Sequence, residues 1–353
     1  MSIDLLTGAD AAIDAKAQSA QTDDRGHASV LRNTGFGARP THVIGVDLGG
    51  TKLLGGLADA KGCLLATLEE PTRHGRDAPV IAQIGEMARA LVQRAGLGSE
   101  AVLSMVIGVP SAVSPASGLA SLSPNLALPE DRPLADLVAE QVPFAVQVEN
   151  DVNLAAFGEA MAEGSGFEGP LVFVSFGTGV GMGLVINHQL VRGAFGRAGE
   201  IAYLPIGATP HVDAVTSENG LYEDRVGTGG ILKVLARPGE TVAGLFLRAE
   251  AGQADALEAI DHLARSASIG IACVQSLIDP VQIVIGGGIG SQTLFMERLR
   301  HHVGPLLPFD CRMAPSRFGT QAGLVGAVMY AMHLAGGTVT PGGLASAGRL
   351  PDM

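Results

Sequence analysis

Residues 41–52 read THVIGVDLGGTK. Val43, Ile44 and Val46 form a β-branched run that favours a strand, and Gly49-Gly50 ends it in a tight turn. LLGGLADAKGCLLATLEEP follows at 53–71 and reads as two further strands joined at Asp59-Ala60-Lys61-Gly62. Asp47 sits at the end of the first strand, where a carboxylate can hold a metal-bound water. The N–H groups of Gly49 and Gly50 can face an anion, and Thr51 and Lys52 add a hydroxyl and a charge. The plainer alternative is a β-turn with a capping Asp. The GxxxxGK[ST] spacing of a P-loop is missing.

Two other segments repeat the theme of an apolar strand running into glycines. LVFVSFGTGVGMGLVI at 171–186 reads as strand, Gly/Thr turn, strand. A dinucleotide fingerprint needs a helix after the turn. Here Leu184 to Ile186 continue as a strand, so a hairpin cradling phosphates at Gly177, Thr178 and Gly179 fits better. The shared pattern with 43–58 hints at an internal duplication. VQIVIGGG at 281–288 ends a strand in Gly286, Gly287 and Gly288, where a backbone can approach a nucleoside closely; the alternative is a plain strand-to-helix turn.

Helical periodicity marks 79–95, 134–141, 152–164, 255–277 and 321–334, and the fourth of these is closed by Asp279-Pro280. AVLSMVIGVP at 101–110 and FAVQVEND at 144–151 read as strands, and 207–230 as mostly loop. Strands alternating with helices indicate α/β layers in two lobes, and a cleft between lobes commonly takes a ligand. Asp151 ends the 144–151 strand just before a helix, so it is either an exposed carboxylate able to take a proton or a helix N-cap. Asn150 beside it can bond hydroxyls. Asn125, Glu200 and the neighbouring Tyr203 lie near turns and are weaker candidates for hydroxyl contacts.

The formal net charge is −12, which argues against a nucleic-acid partner and requires any phosphate site to be built locally. No apolar run is long enough to span a membrane. Cys63, Cys273 and Cys311 show no metal or redox spacing, as expected in a reducing, cytoplasmic setting. The N-terminus carries no secretory signal pattern.

The ordered set DLGGTK (47–52), GVP (108–110), PNL (124–126), ENDVNLAAFGE (149–159), SFGTGVGMGLV (175–185), RGAFGRAGEIA (192–202) and IGGG (285–288) resembles the ROK family of bacterial sugar kinases and repressors. The resemblance spans roughly residues 43–334. It implies the α/β, two-lobed actin-like ATPase fold (the sugar kinase/hexokinase/Hsp70 fold), a ligand cleft between the lobes, and a homodimer. The implied domains are a leader at 1–40, an N-terminal lobe at 41–145 with a helix near 321–336 packing back on it, and a larger C-terminal lobe at 146–320.

The resemblance further implies phosphorylation of a hexose by Mg-ATP. Asp47 would lie near Mg2+ and the phosphates, with Gly49, Gly50, Thr51 and Lys52 as the first phosphate turn and Gly177, Thr178 and Gly179 as the second. Gly287 and Gly288 would face the adenosine, and Asp151 would be the general base. Asn125, Asn150, Glu200 and Tyr203 would line the sugar. Glucose is the default, with fructose, mannose and N-acetylhexosamines as alternatives, and a sugar-responsive regulator is the other functional class. Many relatives have a zinc-ligating His where this chain has Tyr203, followed by a cysteine-rich segment. The region 211–231 has no cysteine, so no zinc site is expected, since zinc takes about four ligands. The glutamate that follows that segment in relatives corresponds here to Glu223, or to Glu218; a strict register would put Tyr222 there.

Overall fold

The computed structural model describes residues 40–122, 128–162 and 168–336. The expected leader at 1–40 therefore lies almost wholly outside the described residues. Within them, β1 (His42–Leu48), β2 (Lys52–Ala58) and β3 (Leu64–Pro71) form an antiparallel meander, as the apolar runs separated by Gly-containing turns require. Helix α1 (Val80–Arg94) buries Ile84, Met87 and Leu91 on one face, then β4 (Val102–Val109) joins β1 in parallel. A small hairpin, β5 (Ala112–Val113) and β6 (Ala120–Ser121), and helix α2 (Leu134–Ala139) lead to β7 (Ala145–Asn150), parallel to β4. The first sheet thus has the order β3-β2-β1-β4-β7. It runs to Asn150, five residues past the expected boundary at 145, because β7 completes this sheet and does not start the next.

Helix α3 (Asp151–Ala162) follows at once, and β8 (Leu171–Phe176), β9 (Val180–Ile186) and β10 (Gln189–Leu190) make a second antiparallel meander. The stretch expected to be mostly loop contains α4 (Pro210–Asp213), α5 (Glu223–Val226) and the start of α6 (Thr228–Val234). Helix α7 (Val242–Glu250) precedes α8 (Ala254–Ile278), which ends with Asp279 in the left-handed region ahead of Pro280. Strand β11 (Gln282–Gly286), α9 (Gly287–Gly290), α10 (Thr293–Val303), β12 (Met313–Pro315) and α11 (Ala322–Leu334) complete the described residues. The second sheet has the order β10-β9-β8-β11-β12. Its pairing senses match the first sheet strand for strand: two antiparallel pairs, then two parallel ones. The duplication hinted at by the two Gly-turn hairpins extends to the whole sheet.

Helices α3 and α11 exchange sheets. Helix α3 leaves β7 of the first sheet and packs on β8 and β9 of the second; α11 leaves the second sheet and packs on β1 and β4 of the first. Both are apolar almost all round, as a helix covered on every side must be. They cross through small residues: a Cβ on Gly326 of α11 would stand 1.9 Å from the Leu154 carbonyl oxygen, and one on Gly158 of α3 would stand 3.0 Å from the Gly326 Cα. Among the described residues no helix is long and apolar enough to cross a membrane. Since backbone, not a flexible side chain, fills the space at the crossing, Gly326→Ala is expected to destabilise the fold by about 1–3 kcal/mol or more, measured by urea unfolding. A stability unchanged within about 0.5 kcal/mol would contradict this packing.

Candidate active site

A cavity of about 730 Å³ opens where the carboxyl ends of β1, β7, β8 and β11 come together. Parallel strands present their following loops at that end, which is where open α/β sheets bind ligands. All the described candidate residues but Gly286 and Tyr222 line it. Asp47, Gly49, Gly50, Thr51, Lys52, Asn150 and Asp151 come from the first sheet. Gly177, Thr178, Gly179, Gly287 and Gly288 come from the second, with Glu200, Tyr203, Glu218 and Glu223 from the loops beyond it. Asn125 lies outside the described residues.

The first turn is tight because the Gly49 N–H donates to the Lys52 carbonyl at 2.9 Å. The segment after β3 braces it: the Thr72 hydroxyl donates to the Gly49 carbonyl at 2.8 Å and the Thr72 N–H to the Thr51 carbonyl at 3.1 Å. Lys52 Nζ is 3.4 Å from Glu69 across the hairpin, and both side chains are largely exposed. The second turn closes through Gly177 N–H to the Gly179 carbonyl at 3.0 Å. Thr228, at the start of α6, holds it from behind with its N–H 3.0 Å from the Thr178 carbonyl and its hydroxyl 3.1 Å from that of Gly177. The third glycine segment lies against the second, since a Cβ on Gly177 would be 3.7 Å from Gly288 N. Gly287 has φ +82°, and a side chain there would meet the Phe176 carbonyl at 2.3 Å, so this position excludes a Cβ twice over.

Two carboxylates occupy the interior of the cavity. Asp47 is half-buried, and its partial withdrawal from water pushes its carboxyl up to about 6 although the Lys52 charge pulls it back. It rests on the first turn of α11, where a Cβ on Gly323 would come within 2.6 Å of Asp47 Oδ2. Asp151 is the first residue of α3. The helix cap belongs to its neighbour: Asn150 Oδ1 accepts the Asn153 N–H at 2.9 Å, while Asn150 Nδ2 donates to the Ser111 carbonyl at 3.2 Å. Asp151 Oδ1 accepts the Val152 N–H at 2.8 Å. Burial and then the charge of Asp47 push the Asp151 carboxyl up to about 8, against the downward pull of its backbone hydrogen bonds.

At the other end, Glu200 and Glu223 are partly buried, and burial raises both carboxyls; the charge of Glu223 raises Glu200 further, while Arg197 lowers it. Glu223 accepts the Val180 N–H at 2.9 Å, just past the second glycine turn. Tyr203 is about half exposed at 48%, and burial together with the charges of Glu200 and Glu223 raises its hydroxyl. The strict register that puts Tyr222 in the site does not hold. Tyr222 is fully buried and donates to the Ala267 carbonyl at 2.7 Å inside the core. Glu218 lines the cavity from an exposed position. Among the described residues no group of three or more His, Cys, Asp or Glu side chains is arranged to hold a metal ion.

The sequence reading missed Ser111, His74, Thr320 and Gly323, which also line the cavity. A signal existed for the last two: GTQAG at 319–323 is another Gly/Thr turn, placed directly before an apolar helix.

The ROK family profile matches residues 43–333. The glucokinase of Streptomyces coelicolor is 29% identical over 311 residues, spanning 81% of this chain and 96% of that protein. Among solved structures, a ROK family glucokinase from Streptomyces griseus, determined in complex with glucose and AMPPNP, superposes with a TM-score of 0.70 at 26% identity, covering 83% of this chain and 99% of that one. The ROK hexokinase from Thermus thermophilus gives 0.69 at 26% identity over 84% and 99%. With a family profile covering most of its length and solved ROK kinases superposing over 83–84% of it, the chain belongs to the ROK family and has the two-lobed actin-like ATPase fold.

Proposed function

We propose that this chain is an ATP-dependent sugar kinase that phosphorylates a hydroxyl of a hexose, with glucose the first candidate. The observation that carries this reading is the half-buried Asp151 carboxylate, set on the same cavity as two glycine turns and Asp47. Phosphoryl transfer asks little covalent chemistry of a protein; it needs the acceptor oxygen held in line with the γ-phosphorus and charge managed around it. In this reading the N–H groups of Gly50, Thr51, Thr178 and Gly179, on turns closed by the Gly49 and Gly177 N–H groups, hold the phosphates, and Gly287 and Gly288 give room for the adenosine. Asn150, Glu200, Tyr203 and Glu223 hold the sugar hydroxyls, and the family resemblance assigns Asn125 of the PNL segment the same task. Asp151 accepts the proton of the attacking hydroxyl as its oxygen bonds phosphorus, and the bond from phosphorus to the bridging oxygen of ADP breaks.

Asp47 suits a magnesium ion, directly or through water. Mg2+ is usually held by one or two carboxylates with substrate phosphates completing its shell, so no larger cluster is required, and the charge of Lys52 offsets only part of the cost of withdrawing the Asp47 carboxyl from water. Such an ion supplies neutralisation of the phosphate charge. Relatives named as kinases for glucose and for β-glucosides, at 29% and 26% identity, favour a sugar acceptor. ATP consumption coupled to a colour reaction, run over glucose, fructose, mannose and N-acetylhexosamines with Mg2+, tests the reading. It predicts sugar-dependent ADP release with at least one of them. Sugar binding without ADP release would favour a regulatory member instead.

Asp151→Asn separates the base from the fold. Turnover should fall by a factor of about 10² or more, and near-normal turnover would overturn the base assignment. A proton acceptor must be ionised, so kcat/KM of the wild type should rise with pH toward the Asp151 value of about 8. The stability effect has the opposite sign. A carboxyl raised in the folded state contributes stability that is complete below the ordinary aspartate value and is lost as pH rises through about 8. Ligand-free Asp151→Asn is therefore expected to melt a few degrees above wild type at pH 8 and to gain less at pH 5, read by scanning calorimetry. A lower Tm at pH 8 would contradict the buried-charge account.

A further inference from the structure

Glu149 precedes Asn150 on β7 and is 5% exposed. A carboxylate this buried is costly unless both oxygens are bonded. Its Oε1 accepts the Asn150 N–H and Asn153 Nδ2, each at 2.9 Å, so one oxygen spans the β7-to-α3 turn that carries Asp151. Its Oε2 accepts Arg192 Nε. Arg192 comes from the other sheet, just beyond β10. A second arm of its guanidinium donates to the Tyr330 hydroxyl on α11, and its central carbon lies 5.6 Å from the centre of the Tyr330 ring. The Arg192 carbonyl accepts the Ala198 N–H at 3.0 Å, closing the loop that leads to Glu200. One residue thus ties together, by its side chain, the turn bearing Asp151 and the helix on which Asp47 rests and, by its backbone carbonyl, the loop that leads to Glu200. Arg192 does not itself line the cavity.

We propose that Arg192 is a positioning residue for the reaction: through Glu149 and Tyr330 it fixes the carboxylates of the two sheets relative to one another. The planar fork explains the residue type, since its N–H directions are fixed and hold two acceptors at a set spacing, which the rotatable donors of an ammonium on a flexible stem do not do. The inference rests on the sugar-kinase reading above.

The test uses the full chain with ATP and the sugar the wild type accepts. Removing Arg192 alone leaves a buried unpaired carboxylate, so the informative variant is the double Arg192→Met/Glu149→Gln, in which both charges are gone. If Arg192 only stabilised the fold by neutralising Glu149, this variant would keep wild-type kcat whatever its Tm. The positioning role predicts a kcat lower by roughly 10- to 100-fold, with the KM for ATP within about twofold of wild type. Tyr330→Phe keeps its ring packing on Phe157 and loses one end of the fork; its kcat is expected to fall about threefold or more. Should the double variant not fold, Tyr330→Phe decides alone. Wild-type kcat in the folded variants, or a change confined to KM, overturns the assignment of Arg192. An inactive wild type overturns the sugar-kinase reading, and this inference with it.

Discussion

The site is organised by the cost of ionising Asp151 beside Asp47. Both carboxylates are withdrawn from water, and the charge of Asp47 makes that of Asp151 harder to form. The nearest ammonium, that of Lys52, is shared with Glu69 and half exposed, so it offsets only part of this. A ligand-free cavity of this kind stores unfavourable free energy, which a folded protein tolerates when the rest of the structure over-determines the positions involved. Much of the surrounding architecture can be understood as that over-determination: a capped helix start at Asn150, a strand end clamped through Glu149, and a glycine in α11 that admits the Asp47 carboxylate.

The exchange of α3 and α11 between the sheets has a direct bearing on this. Each helix begins at the cavity, α3 with Asp151 and α11 near Asp47, and each then packs on the sheet it did not come from. The small-residue crossing at Gly158 and Gly326 lets the two helices approach at backbone distance, so the two carboxylates are referenced to one rigid contact. The second glycine turn is similarly braced by α5 and α6, where Glu223 and Thr228 bond it from behind. Glu223 therefore belongs both to the phosphate turn it supports and to the acidic end of the cavity, where Glu200 and Tyr203 lie.

What the sequence made legible was local. Strand–glycine-turn–strand at 43–58 and 171–186, the strand ending at Asp151 and the IGGG run are all short-range signals, in which apolar alternation and glycines report the backbone directly. Apart from Gly286, the described residues chosen on those grounds share one cavity. The family resemblance extended this to the two-lobed fold. Features that depend on distant packing were not legible. Nothing near Arg192 in sequence announces Glu149 or Tyr330 as partners. The burial of Tyr222 against α8 removes one of the three positions that spacing left open. The boundary at 145 misplaced β7 because a strand's sheet is decided by its partners, here β4, and not by its own residues. Gly323 needed the position of Asp47 to acquire a meaning, although the GTQAG turn was visible.

The most direct measurement of the central claim is ³¹P NMR of the purified protein with ATP, Mg2+ and an accepted hexose. The account predicts that the γ-phosphate signal is replaced by ADP and a sugar phosphate ester in equal amounts, and that Asp151→Asn leaves the ATP signals essentially unchanged over the same period. Inorganic phosphate as the sole product, or ester formation undiminished in Asp151→Asn, would contradict it.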